Sequence, residues 1–161
     1  MGLAQLDLRL LAVGYDKLTL SEKNQLISKV AGNYGVPINK VSDEVILQYH
    51  KDAKVYSLET RYKVVILGGF TASNGNFYGT SAEDQLNLVA QKLELVENPS
   101  ISEVKWKVKD KGLVTHSREE WLQVYKEGYE FKYGKIMELD SIKQKIAEAT
   151  THDELVALPS E

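Results

Sequence analysis

The chain has 161 residues, 43% of them hydrophobic and 27% charged, with three prolines, eleven glycines and no cysteine. Such a length and balance predict one medium domain or two small ones, folded throughout by packing, and exclude a disulfide scaffold, a thiolate metal site and long disordered tracts. A net charge of −3 at pH 7 supplies no general attraction to nucleic acid or anionic lipid, so neither nucleic acid nor membrane is an expected partner.

The start, "MGLAQLDLRLLAVGY", carries Asp7 and Arg9. It is far shorter than the roughly 18 apolar residues of a membrane span, and it lacks the flanks of a signal peptide. Leu6 stands where myristoylation of Gly2 would want Ser or Thr. The leucines at 3, 6, 8, 10 and 11 fit either a short strand or a helical turn. Next, Thr19 and Glu22 form a capping-box pair, Leu20, Leu26, Ile27 and Val30 share a helical face, and Gly35 supplies a stop. Ser42 caps a second helix, with Asp43 and Glu44 at the positive end of its dipole. Val64, Val65 and Ile66 read as helix or strand; the helical reading ends at Gly68 with a left-handed cap.

Asn74-Gly75 between Phe70 and Phe77 predicts a two-residue hairpin turn. Thr80 with Glu83 predicts the cap of the next helix, and Leu86, Val89, Ala90 and Leu93 its buried stripe. "SEVKWKVKDKGLVTHS" alternates Val104, Trp106 and Val108 against Lys105, Lys107 and Lys109 and turns at "DKG", a second hairpin. Ser117 with Glu120 opens a long helix in which Trp121, Tyr125, Tyr129 and Tyr133 repeat every four residues, and in which Gly128 and Gly134 are candidate bends. A last short helix begins near Thr151, paired with Glu154, and stops before Pro159. The expected fold class is α+β, mainly helical, with two short β-hairpins packed against helices and an N-terminal helical unit.

Chemistry-bearing patterns are few. His50, His116 and His152 stand apart in the chain, with no second ligand at helical or strand spacing, and "LGGF" is explained by helix capping, so neither a metal, a nucleotide nor any other cofactor is expected. The acidic pairs Glu119-Glu120 and Asp43-Glu44 sit in first turns, where the dipole accounts for them. The lysines at 105, 107, 109 and 111 could hold phosphate or an acidic glycan; equally, they suit a solvated strand face that resists edge pairing. The stripe Trp121, Tyr125, Tyr129, Tyr133 fits a carbohydrate platform, an oligomer seam or core packing. Asn74 and Asn76 lie in a small polar loop able to meet a partner. Candidate partner or glycan contacts are therefore Asn74, Asn76, Lys105, Lys107, Lys109, Trp121, Tyr125 and Tyr129, and no catalytic residue is expected.

Three segments, "GGFTASNGNFYGTSAEDQLNLVAQ", "VKWKVKDKGLVTHSREEWLQVY" and "LDSIKQKIAEATTHDELVAL", carry a resemblance. Over about residues 61–158 the chain resembles an uncharacterised domain recurrent in tailed-bacteriophage tail-fibre, baseplate and tail-fibre-assembly proteins. That family is defined by packing residues, so no active-site residue carries over. The resemblance implies a non-enzymatic structural or adaptor component of a phage virion, made in the bacterial host cytoplasm, whose partners are other tail proteins and copies of itself as a trimer or hexamer. Residues 1–60 then form a helical attachment unit and 61–161 the tail-associated domain. Its rivals are a tail-fibre assembly chaperone absent from the mature particle and a glycan-binding module.

Overall fold

A computed structural model describes residues 4–159 of the chain; the Leu3 and Gly2 readings lie outside them. The architecture is α+β: six α-helices and two separate two-stranded antiparallel sheets among the described residues. Two compact units are present, one of Met1–Arg61 with Glu138–Glu161 and one of Tyr62–Met137. Where the sequence suggested a single break near residue 60, the chain returns to its first unit after Met137.

The first unit begins with α1 (Gln5–Val13), which settles the N-terminal ambiguity as helix. Asp7 closes its first turn by accepting a hydrogen bond from the Ala4 amide at 2.9 Å. In α2 (Leu20–Tyr34) the Thr19 hydroxyl accepts from the Glu22 amide, the Glu22 carboxylate accepts from the Thr19 amide, and Gly35 ends the helix at φ 64°. The long α3 (Asp43–Leu67) supplies this unit up to Arg61, and α5 (Arg118–Glu148) returns from Glu138 before α6 (His152–Ala157). Leu10, Leu18, Leu26, Val30, Ile46 and Tyr49 form one apolar cluster. Leu20, expected on that face, is instead exposed: at about 100° per residue it lies about a quarter to a third of a turn round the helix from Val30 and Leu26.

The second unit starts from the tail of α3. Gly68 is not the left-handed residue; Gly69 is, at φ 99°. Strands β1 (Phe70–Thr71) and β2 (Phe77–Tyr78) pair Phe70 with Tyr78. Their loop is longer than the expected two-residue turn: the Ala72 amide bonds the Asn76 carbonyl, the Gly75 amide bonds the Ala72 carbonyl, and of Asn74 and Gly75 only the glycine has positive φ. A two-residue type I′ turn needs positive φ at both centres, whereas a three-residue loop needs it only at the last.

Helix α4 (Ala82–Glu97) is capped one residue later than expected, by Ser81 with Asp84. Thr80 turns inward instead, its hydroxyl donating to the Ile66 carbonyl and accepting from the Gly69 amide. The buried residues of α4 are Leu88 and Leu95, not the stripe of Leu86, Val89, Ala90 and Leu93, which faces outward. Strands β3 (Glu103–Val108) and β4 (Gly112–Ser117) form the second hairpin, with Val104 and Val108 buried as the alternation implies. Arg118 then clamps the end of α4, its guanidinium donating to the carbonyls of Leu95 and Ile101 at 2.5 and 3.0 Å; a cation there satisfies open carbonyls and suits the helix dipole. Helix α5 runs unbroken through Gly128 and Gly134. Gly128 is a packing glycine: a Cβ would come within 3.1 Å of the Phe70 ring.

Two apolar clusters share Trp106: one of Phe70, Ala72, Tyr78, Val108 and Val124, the other of Leu88, Leu95, Val104 and Trp121. A Cβ on Gly69 would lie 2.5 Å from the Phe77 ring and 2.6 Å from the Tyr78 carbonyl, whereas one on Gly75 meets nothing within 4 Å. Both glycines have positive φ, which for an alanine costs about 1 to 2 kcal/mol. Gly69→Ala should therefore lower stability by more than Gly75→Ala in urea denaturation, and equal losses would refute the close approach as the reason for Gly69.

Candidate functional site

A groove of about 700 Å³ lies between α4 and β3 in the second unit. Its β3 side carries Lys105, Lys107 and Lys109 beside the half-buried Trp106; its α4 side carries Asp84, Asn87, Gln91 and Glu94. Three ammonium groups face two carboxylates and two amides, so the groove presents donors and acceptors with a small excess of positive charge. Phe77 closes one end, with the Lys109 ammonium 4.9 Å from its ring centre, a cation–π contact. Lys111 does not join this row: it donates to the Asn76 side-chain carbonyl at 2.6 Å.

The two loop asparagines are engaged within the fold. Asn74 donates to the Tyr78 hydroxyl at 2.9 Å and accepts from the Asn76 amide at 3.0 Å. Behind them lies a buried chain in which the Tyr78 hydroxyl and His116 Nε2 are 2.7 Å apart and His116 Nδ1 is 2.9 Å from the Val114 carbonyl. A carbonyl only accepts, so Nδ1 carries the imidazole proton, Nε2 accepts from Tyr78, and Tyr78 accepts from Asn74. Glu127 pins the same loop by accepting from the Ser73 hydroxyl and amide, and these bonds hold its carboxyl below the usual range.

The aromatic stripe of α5 divides. Trp121 is fully enclosed, edge-on to Trp106 at 5.3 Å, so it belongs to the core and not to a displayed platform. Tyr125 is half-buried on Trp121, with the Lys92 ammonium 5.7 Å from its ring centre. Tyr129 is outward and stacked on Tyr133, centroids 5.9 Å apart and planes 8° apart. Beside them Val89 and Tyr129 line a hollow of about 110 Å³. The exposed apolar residues of α4 thus continue onto α5. The sequence displayed their spacing but held no sign of which side of α4 would be covered.

In the first unit the structure joins two histidines that the sequence keeps apart. His50 on α3 and His152 on α6 stack at 5.2 Å with their Nδ1 atoms 2.9 Å apart, and Tyr15 lies 5.5 Å from His152. Their separation of 102 positions hid this pairing from any local pattern. His50 is fully buried and its Nε2 has no hydrogen-bond partner. Burial, reinforced by His152 and Lys54, pushes the His50 pKa down to about 3. Burial also lowers that of His152, against the pull of Asp16, Asp43 and Asp153. Nearby, the Lys54 ammonium donates to the Leu158 carbonyl at 2.7 Å.

A second polar knot surrounds Asp7, whose carboxylate accepts from Lys29 at 2.5 Å and from the Tyr49 hydroxyl at 2.7 Å. Burial opposes its charge, but those bonds and the Ala4 amide prevail and lower its pKa. Among the described residues no group of three or more histidine or acidic side chains is arranged to hold a metal ion. No described helix is long and apolar enough to cross a membrane.

The family model described as "Domain of unknown function (DUF4376)" matches residues 49–158. No curated protein and no solved structure matches the chain.

Buried His50 gives the fold a pH dependence. Unfolded, His50 titrates near its ordinary 6.5; folded, it takes up a proton only near 3. The stabilisation is therefore complete above pH 6.5 and lost as pH falls from there toward 3. Between pH 7.5 and 5 the first unit should lose on the order of 2 kcal/mol, each pH unit below 6.5 costing about 1.4 kcal/mol. Urea denaturation at the two pH values checks this, and His50→Leu should remove most of the difference.

Proposed function

We propose that this chain, which belongs to the DUF4376 family, is a non-enzymatic structural or adaptor component of a tailed-bacteriophage virion, associated with the tail fibre or baseplate. The observation that carries an interaction role is the apolar surface of the second unit. Leu86, Val89, Leu93 and Val96 on α4 are between 48% and 69% exposed, and Tyr129 and Tyr133 on α5 are exposed beside them. Scattered apolar residues are ordinary on a protein surface, but a continuous stripe that crosses from one helix to the next is the mark of a surface covered in an assembly.

The perturbed ionisable groups support the same reading, because their partners are parts of the fold. Asp7 closes a helix end and binds Lys29, His50 stacks on His152, and Glu127 fixes a loop. The tail context comes from the sequence resemblance over residues 61–158.

An acidic-glycan reading is favoured by one observation, the gathering of Lys105, Lys107 and Lys109 in a groove beside Trp106. It uses β3 and α4 and dispenses with Trp121, which lies in the core.

The test is a protein census, by mass spectrometry, of purified particles from a phage or induced prophage that encodes this chain. The expected result is the chain in fixed ratio to tail-fibre or baseplate proteins. Its presence in lysate but absence from finished particles would replace the structural role with that of an assembly chaperone.

A further inference from the structure

The exposed stripe on α4 has a spacing that specifies more than exposure. Leu86, Val89, Leu93 and Val96 stand 3, 4 and 3 residues apart, which is the a-d-a-d order of a heptad seam. The buried residues of the same helix, Leu88 and Leu95, also lie seven apart, about a third of a turn round the helix from the stripe. Helix α4 is therefore apolar on two separate faces, one closed by its own unit and the other open.

We propose that the open side of α4 is a parallel seam between copies of this chain, three or four helices about one axis. The proposal deepens the reading of the unit as an assembly component by naming the occupant of its apolar surface. The occupant follows from the flanking charges. With Leu86 and Leu93 at a, Lys92 occupies g and Glu97 the e position of the next heptad. In a parallel arrangement of identical helices the g residue of one copy meets that e residue of its neighbour, so Lys92 of each copy faces Glu97 of the next. An antiparallel arrangement places g beside g and e beside e and leaves that pair unmatched.

Both residues are placed for this. Glu97 is exposed, and Lys92 is half-buried on the flank of α4 toward Tyr125. The number of copies follows from the core positions. β-Branched residues at a with leucine at d favour two strands, whereas leucine at a with a β-branched residue at d shifts the preference to three or four; here leucine is at a and valine at d. Sixteen residues of helix give only two heptads. Tyr129, which shares a hollow with Val89, and its stacked neighbour Tyr133 widen the surface beyond the seam.

The experiment is light scattering after size exclusion on the full chain, across a range of concentrations, beside thermal melting of each variant. We expect the wild-type mass to reach three or four chains. Leu93→Glu should reduce it to one chain at an unchanged melting temperature of the isolated chain, because Leu93 is 56% exposed and outside the core clusters. Lys92→Glu and Glu97→Lys should each weaken assembly several-fold, and the double exchange Lys92→Glu/Glu97→Lys should restore it. A wild-type mass of one or two chains, a Leu93→Glu mass equal to wild type, or a double exchange no better than the single ones would overturn the proposal. Failure here is distinct from failure of the virion reading: an oligomer with these properties that is missing from particles would refute only the latter.

Discussion

The hydroxyl of Tyr78 joins the two hairpins of the second unit, and the groove beside α4 depends on that joint. Tyr78 lies on β2 and is fully buried, while His116 on β4 is almost so. A two-stranded hairpin is marginal alone, and β1 and β2 contribute only two residues each. Their short pairing is extended by the Lys109 amide on the Phe77 carbonyl, which ties β2 to the end of the second hairpin. The hydrogen bond between Tyr78 and His116 adds a buried polar link at the same junction. A buried hydroxyl or imidazole without a partner would cost about 1 to 3 kcal/mol, so the two rings hold each other in register. The asparagine loop is fastened from the same point, and Asn74 and Asn76 thereby serve the fold.

Helix α4 carries three kinds of side. Leu88 and Leu95 close the core, Asn87, Gln91 and Glu94 wall the groove, and Leu86, Val89, Leu93 and Val96 look outward. The Arg118 guanidinium on its terminal carbonyls and the Ser81–Asp84 box fix both ends of the helix. Groove and stripe are thus displayed on one rod with defined ends.

Local chemistry in this chain was legible in the sequence, and the choice among faces was not. The Thr19–Glu22 and Thr151–Glu154 boxes, the Gly35 stop and the alternation of Val104 and Val108 occur as their spacing implies, since each involves groups within a few residues. The cap at Thr80 slipped to Ser81 because Thr-x-x-Glu and Ser-x-x-Asp overlap there, and only the Gly69 amide and Ile66 carbonyl decide which hydroxyl is drawn inward. For α4 the helical period offers two apolar stripes, and the more regular one is outside. Nothing within the helix distinguishes them; Trp121 and Val104, from elsewhere in the chain, cover Leu88 and Leu95. The groove was half legible, its lysines from strand alternation and its opposite wall from no local pattern.

The two units spend their polar groups differently, and the difference bears on where function resides. In the first, Asp7, Lys29, Tyr49 and Lys54 have partners inside the unit, and Tyr34 meets Asp52. Buried groups so committed specify a structure and leave little to offer a visitor. In the second, Lys105 and Lys107 are exposed on the groove wall. Lysines along the edge of a two-stranded sheet discourage unwanted strand pairing, while an open stripe of leucine and valine invites burial. A surface that blocks one mode of association and presents another selects its contacts by geometry. On this unit that geometry favours helix against helix over strand against strand.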